Sequence, residues 1–194
     1  TGKLLSVGDD LDKQQQTMYV FKDGNKVQPF VNPGDTSGAP ILPNGLSFPL
    51  SLRGADMISV SDTELLISNS ARMNGKIGWF HNFTGADATS GGTERVHVTP
   101  IVRSGLVAWT TGLPQGADPC TSNMSSRAYV AGITDAKSRV LSGSGLTKTT
   151  QPFLTIPEGD GVKMRVITTK DGKDKLLIQT TDGKIRIVDA DLTS

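Results

Sequence analysis

Lys163–Thr169 (KMRVITT), Lys175–Thr181 (KLLIQTT) and Lys184–Ala190 (KIRIVDA) decide the reading of this chain. Polar and apolar side chains alternate over most of Lys163–Thr169, which is the period of a half-buried strand, and the other two are short runs bounded by turn residues. Lys170-Asp171-Gly172-Lys173-Asp174 separates the first two as a turn, and Asp182-Gly183 separates the last two. Asp-Gly between two such runs is a hairpin signal, because both central positions of a tight type I′ turn want positive φ. Phe153–Ile156 lies just ahead and reads as one more strand. The segment is therefore expected to be a four-stranded antiparallel meander, the shape of one β-propeller blade.

The same pattern recurs outward from there. His97–Arg103 passes through Ser104-Gly105 into Leu106–Thr111, then through an expected loop from Gly112 to Ser126, then into Arg127–Ile133 and a short strand near Arg139–Leu141. Further β-branched runs bounded by turn residues are Leu4–Val7, Met18–Phe21, Leu65–Ser68 and Lys76–Phe80. Helical periodicity is almost absent, because Gly or Pro interrupts every window. The expected fold is all-β, with antiparallel meanders forming part of a β-propeller, roughly three to four blades at four strands each. Residues 1–194 are expected to be a single β domain. Gln28–Leu50, with Pro29, Pro33, Pro40, Pro43 and Pro49, is expected to be an irregular excursion, since proline fixes φ and cannot donate to a ladder.

Composition narrows the function. The 194 residues carry 20 basic and 19 acidic side chains, well mixed, so no basic field is aimed at nucleic acid. No run approaches about 18 apolar residues, so no span of a membrane by a helix is expected. The single cysteine excludes a disulfide framework within the chain and a multi-cysteine zinc site. With only His81 and His97, no metal site is expected, and both are read as surface or half-buried strand residues. Asp9, Asp10 and Asp12 lack the glycine of a calcium loop, as Glu158–Gly161 and Asp171–Asp174 lack its oxygen spacing. No G-x-S-x-G elbow or phosphate-cradling loop is present.

One region is more specific. Trp79-Phe80-His81-Asn82-Phe83 is followed by Gly92-Thr93-Glu94-Arg95-Val96, then by Pro100-Ile101-Val102-Arg103-Ser104-Gly105-Leu106-Val107-Ala108-Trp109-Thr110-Thr111, and then by Asp118-Pro119-Cys120. This order resembles the C-terminal β-propeller of the PilY-type type IV pilus tip-associated adhesins. There a G-W-x-hydrophobic strand leads to G-E-R-V, a P-V-V-x-x-G hairpin and a loop carrying D-P-C. Gly8–Asp12 and Gln15–Gly24 are similar to that family's opening segment. The signature positions are thus Trp79, Glu94, Arg95, Pro100, Pro119 and Cys120. Thr93 interrupts G-E-R-V, and no segment here matches the family's calcium loop.

The resemblance implies a non-enzymatic module, with no catalytic residues and no cofactor, that supports pilus biogenesis and adhesion by protein–protein docking. Its partners would be minor pilins or other segments of the same tip protein, with a host-surface ligand besides. Its place would be the bacterial cell surface, at the pilus tip or outer membrane. Two other classes stay open on the residues. A lectin-like domain would stack sugar on Trp79 or Trp109. A propeller enzyme, a quinoprotein or a glycosidase, would draw paired carboxylates from Asp56, Asp62, Glu64, Glu94 and Glu158.

Overall fold

The computed structural model describes residues 14–22, 56–85, 93–115, 123–143, 148–156, 161–170 and 174–190. Among them the fold is all-β, with no α-helix. The strands are β1 (Thr17–Phe21), β2 (Met57–Ser59), β3 (Gly78–Asn82), β4 (Ile101–Arg103), β5 (Leu106–Gln115), β6 (Asn123–Gly132), β7 (Val140–Ser142), β8 (Thr149–Gln151), β9 (Leu154–Ile156), β10 (Gly161–Thr168), β11 (Asp174–Thr180) and β12 (Ile185–Val188). They form sheets in the orders β1-β3-β2, β4-β5-β6-β9, β7-β8 and β10-β11-β12. The runs at Leu4–Val7 and Gln28–Leu50, and Pro119 and Cys120, lie outside the described residues.

The sheet of β4, β5, β6 and β9 is central, because both of its faces are apolar. Alternation along β5 and β6 sends Val107, Trp109, Tyr129 and Ala131 to one face, where Val20, Ile58 and Trp79 of the first sheet meet them. Leu106, Ala108, Ala128 and Val130 go to the other face and pack on Met164, Leu176, Ile178 and Val188 of the C-terminal sheet. Three sheets thus stack face to face in chain order. Burying each large aliphatic or aromatic side chain in these seams stabilises the fold by roughly 1.5–3 kcal/mol.

Four expectations change. The C-terminal meander has three strands, because β9 pairs with β6 (Ser126↔Ile156, Arg127↔Thr155, Ala128↔Leu154) and not with β10. The expected loop at Gly112–Ser126 is in part a ladder, since pairing continues from Gly112↔Ser126 to Gln115↔Asn123. Leu65–Ser68 is no strand: Glu64–Leu66 is a 3₁₀ turn, closed by the Ser61 N–H and hydroxyl donating to the Glu64 carboxylate. Only Ile101–Arg103 is a strand within His97–Arg103.

Turn geometry also redistributes. The type I′ turn occurs at Ser104-Gly105, with φ of 49° and 74°, between Arg103 and Leu106. At Asp182-Gly183 only the glycine has positive φ, 77°. Gly183 N–H donates to Thr180 and Thr180 N–H to Lys184, a type I turn closed by a glycine bulge.

Candidate functional site

The polar centre of the protein forms in the seam between the first and central sheets. Arg95 exchanges both backbone hydrogen bonds with Gly112, at 3.0 and 2.8 Å. That bridge carries the neighbouring Glu94 over β5 and β6. Thr111 stands opposite Arg127 in the β5–β6 ladder, and Tyr129 is two residues further on the same face. All three converge on one carboxylate.

Glu94 Oε1 accepts from the Thr111 hydroxyl at 2.5 Å and the Tyr129 hydroxyl at 2.7 Å. Its Oε2 accepts from Arg127 Nη1 at 2.8 Å and the Gly85 N–H at 3.1 Å. Gly85 packs closely there: a Cβ would stand 2.4 Å from Oε2, so the carboxylate would have to move off its donors to admit one. The Arg127 guanidinium lies 4.2 Å over the Phe153 ring. Tyr129 stacks on Trp109 with centroids 4.8 Å apart and planes 3° from parallel. Burial pushes the Tyr129 phenol well above its usual range, and the Glu94 charge adds to the effect. For Arg127, burial works against the charge, but Glu94 and then Tyr129 outweigh it and raise the pKa.

A second acidic group joins at the rim. His81 is fully buried, which corrects the surface or half-buried expectation for it; His97 is half-buried as expected. The His81 ring lies between Phe83 and Tyr129, at 5.5 and 5.7 Å. Its Nδ1 is 2.7 Å from the Val60 carbonyl, which can only accept, so Nδ1 carries hydrogen. Its Nε2 faces Asp62 Oδ1 at 3.3 Å, while Thr84 donates to Asp62 Oδ2 at 2.9 Å. The imidazole contact holds the Asp62 carboxyl below its ordinary range, against an opposing effect of burial, with Thr84 next.

The chemistry of the centre follows from its saturation. Glu94 has four donors on two oxygens and is 0% exposed, so it is a clamp between strands and not an accessible acid or base. His81 and Asp62 resemble two members of a triad, yet among the described residues no hydroxyl or thiol hydrogen-bonds to His81. Glu64 is held by Arg72 at 2.7 Å, away from this centre. Glu158 lies outside the described residues. Among the described residues no group of three or more His, Cys, Asp and Glu side chains forms a metal site. Trp79 and Trp109 are 0% exposed, so neither offers a face to a sugar.

The signature positions divide accordingly. Trp79, Glu94 and Arg95 are buried at this seam, with Trp79 Nε1 donating to the Ile133 carbonyl at 3.1 Å. Pro100 is half-buried just before β4, and Pro119 and Cys120 lie outside the described residues. Gly78, which precedes Trp79, is packed so closely on β1 that a Cβ would stand 2.0 Å from the Val20 carbonyl oxygen. Sequence reasoning missed Thr111, Arg127, Tyr129 and Asp62 as partners. The available signal was the polar and aromatic pair Arg127 and Tyr129 at i and i+2 in the otherwise apolar run Arg127–Ile133.

No family model matches the chain, no curated protein matches it, and no solved structure matches it. Among the described residues no helix is long and apolar enough to cross a membrane.

Proposed function

We propose that this chain is a non-enzymatic docking module of a type IV pilus tip-associated protein, exported to the bacterial cell surface, where it supports pilus biogenesis and adhesion. The observation that carries the reading is the motif order from Trp79 to Cys120. Its described core members, Trp79, Glu94 and Arg95, are the residues that build the seam between the first two sheets. Three sheets stacked face to face in chain order are what successive propeller blades require, which supports the finer architecture. A saturated polar centre supports a scaffold over a catalyst, and a rigid β-frame carries its binding surface on faces and loops. Its partners in this reading are minor pilins or other segments of the same tip protein.

The test is genetic. Deleting the parent gene is expected to abolish or sharply reduce surface pili, twitching and attachment, and reintroducing the gene restores them. Normal piliation, twitching and attachment after deletion would overturn the reading. Turnover of quinones or chromogenic glycosides by the purified protein would move it to the enzyme class instead.

A further inference from the structure

We propose that the outer face of β10, β11 and β12 is a docking surface for an acidic polypeptide segment that also carries aliphatic side chains. The inference rests on the docking reading above and names where docking occurs and what it recognises. The inner face of this sheet is spent on the central sheet through Met164, Leu176, Ile178 and Val188. Alternation therefore turns Lys163, Arg165 and Ile167 of β10, Lys175, Leu177 and Gln179 of β11, and Ile185 and Ile187 of β12 outward.

Three features make this face unlike a solvated one. Of the seven large hydrophobic side chains most exposed among the described residues, three are here: Ile167 at 40%, Ile185 at 66% and Ile187 at 58%. The ladder sets Arg165, Leu177 and Ile187 in one row, and Lys163, Gln179 and Ile185 in the next, so the aliphatic groups are contiguous. Contiguous exposed aliphatic area on a strand face marks an interaction site more than single exposed residues do. The second feature is charge. Lys163, Arg165 and Lys175 are exposed on this face, and no outward residue of the three paired segments is acidic. The nearest carboxylate on the same strand line, Asp189, lies past the end of β12 and is paired with Lys148.

The third feature is shape. Lys163, Arg165, Ile167, Leu177, Gln179 and Ile185 line a shallow, open depression of about 370 Å³. It is too open to enclose a small molecule, whose sites bury most of the ligand. A concave face also fits a ridge, such as a strand or sheet edge, better than a flat bilayer. Face-to-face pairing with a second copy would set cation against cation, which is repulsive. An acidic and aliphatic strand satisfies both halves of the surface: carboxylates over Lys163 and Arg165, and branched side chains over Leu177, Ile185 and Ile187.

The test uses the full chain and two fluorescein-labelled peptides of alternating pattern, in which every second residue is Val or Glu, or Val or Lys, and the intervening residues are Ser. The Val/Glu peptide is expected to bind, weakening steeply from low to high salt. The K163E/R165E variant is expected to lose about tenfold or more of that affinity and to gain affinity for the Val/Lys peptide. That gain is a readout which a misfolded variant would not give. I185T/I187T is expected to weaken the Val/Glu peptide without reversing its preference. Equal binding of both peptides, no change in K163E/R165E, or binding of phosphatidylglycerol vesicles but not of the Val/Glu peptide overturns the proposal. The two readings fail separately: normal piliation after deletion of the gene, with the Val/Glu peptide still bound, overturns the pilus reading alone, whereas loss of pili on deletion but not in K163E/R165E of the whole protein overturns this face as the docking site alone.

Discussion

The seam around Glu94 and the outer face of β10–β12 use similar raw material to opposite effect. Both place charged or polar groups at alternate strand positions, Arg127 and Tyr129 in one and Lys163 and Arg165 in the other, beside aliphatic or aromatic neighbours. Around Glu94, Gly85 and the bridge from Arg95 to Gly112 hold the carboxylate over β5 and β6, where both of its oxygens are filled by donors. Over Lys163, Arg165, Leu177 and Ile185 no described element lies across the face, and Ile185 and Ile187 stay more than half exposed. Charge on a strand is thus structural where another segment covers it and recognisable where none does. Burying a charge stabilises only if its partners are all present, and the first region meets that condition.

The contrast is broken most forcefully at Glu94. Glu94→Ala removes the acceptor of four donors at once and strands the Arg127 guanidinium, a loss of about 3–5 kcal/mol. Chemical denaturation should show it, and a loss under about 1 kcal/mol would mean that the centre behaves like a surface ion pair. Tyr129→Phe keeps the ring stacked on Trp109 and leaves one Glu94 lone pair unmet, a cost of about 1–3 kcal/mol.

Tyr129 also has a pH signature. Its phenol is raised in the folded protein, so its contribution to stability is whole below the unfolded value, about 10, and is lost as pH rises toward the folded one. Denaturation midpoints should therefore fall on the alkaline side for the parent protein, and less steeply for Tyr129→Phe. Asp62 works in the other direction. Its carboxyl is held low, chiefly by His81, so its contribution is present above the unfolded value, about 4, and disappears as pH falls through the folded one. Asp62→Asn should flatten the acid limb of the stability profile while leaving the neutral plateau within about 1 kcal/mol of its former height.

The smallest effect belongs to the open face. Ile185→Thr is expected to change stability by no more than about 0.5 kcal/mol, because a side chain 66% exposed gives up little packing. A larger loss would show that the face is already covered in the isolated chain, and would sharpen the comparison against us.

How much of this was legible beforehand depended on distance along the chain. The runs at Met18–Phe21, Leu106–Thr111, Lys163–Thr169, Lys175–Thr181 and Lys184–Ala190 announce β1, β5, β10, β11 and β12, because alternation and turn residues are local properties. The 3₁₀ turn at Glu64–Leu66 was hidden, since Leu65-Leu66-Ile67 has the composition of a strand, and what bends it are the turn's own backbone bonds together with the Ser61 contacts to the Glu64 carboxylate. Glu94 was visible as a signature residue, but its role was not, because Thr111, Arg127 and Tyr129 stand 17, 33 and 35 positions away.

Local pattern was enough for the all-β class, for most of the strand runs and for the residues that face together along them, since a period of two needs no knowledge of neighbours. Which strands pair was settled by contacts between distant segments, which took β9 from the C-terminal meander to β6. They also decided which polar faces are closed. The same alternation that buries Tyr129 against Glu94 leaves Arg165 in solvent, and what separates them is the presence of a covering segment, a contact between distant parts of the chain that no local pattern encodes.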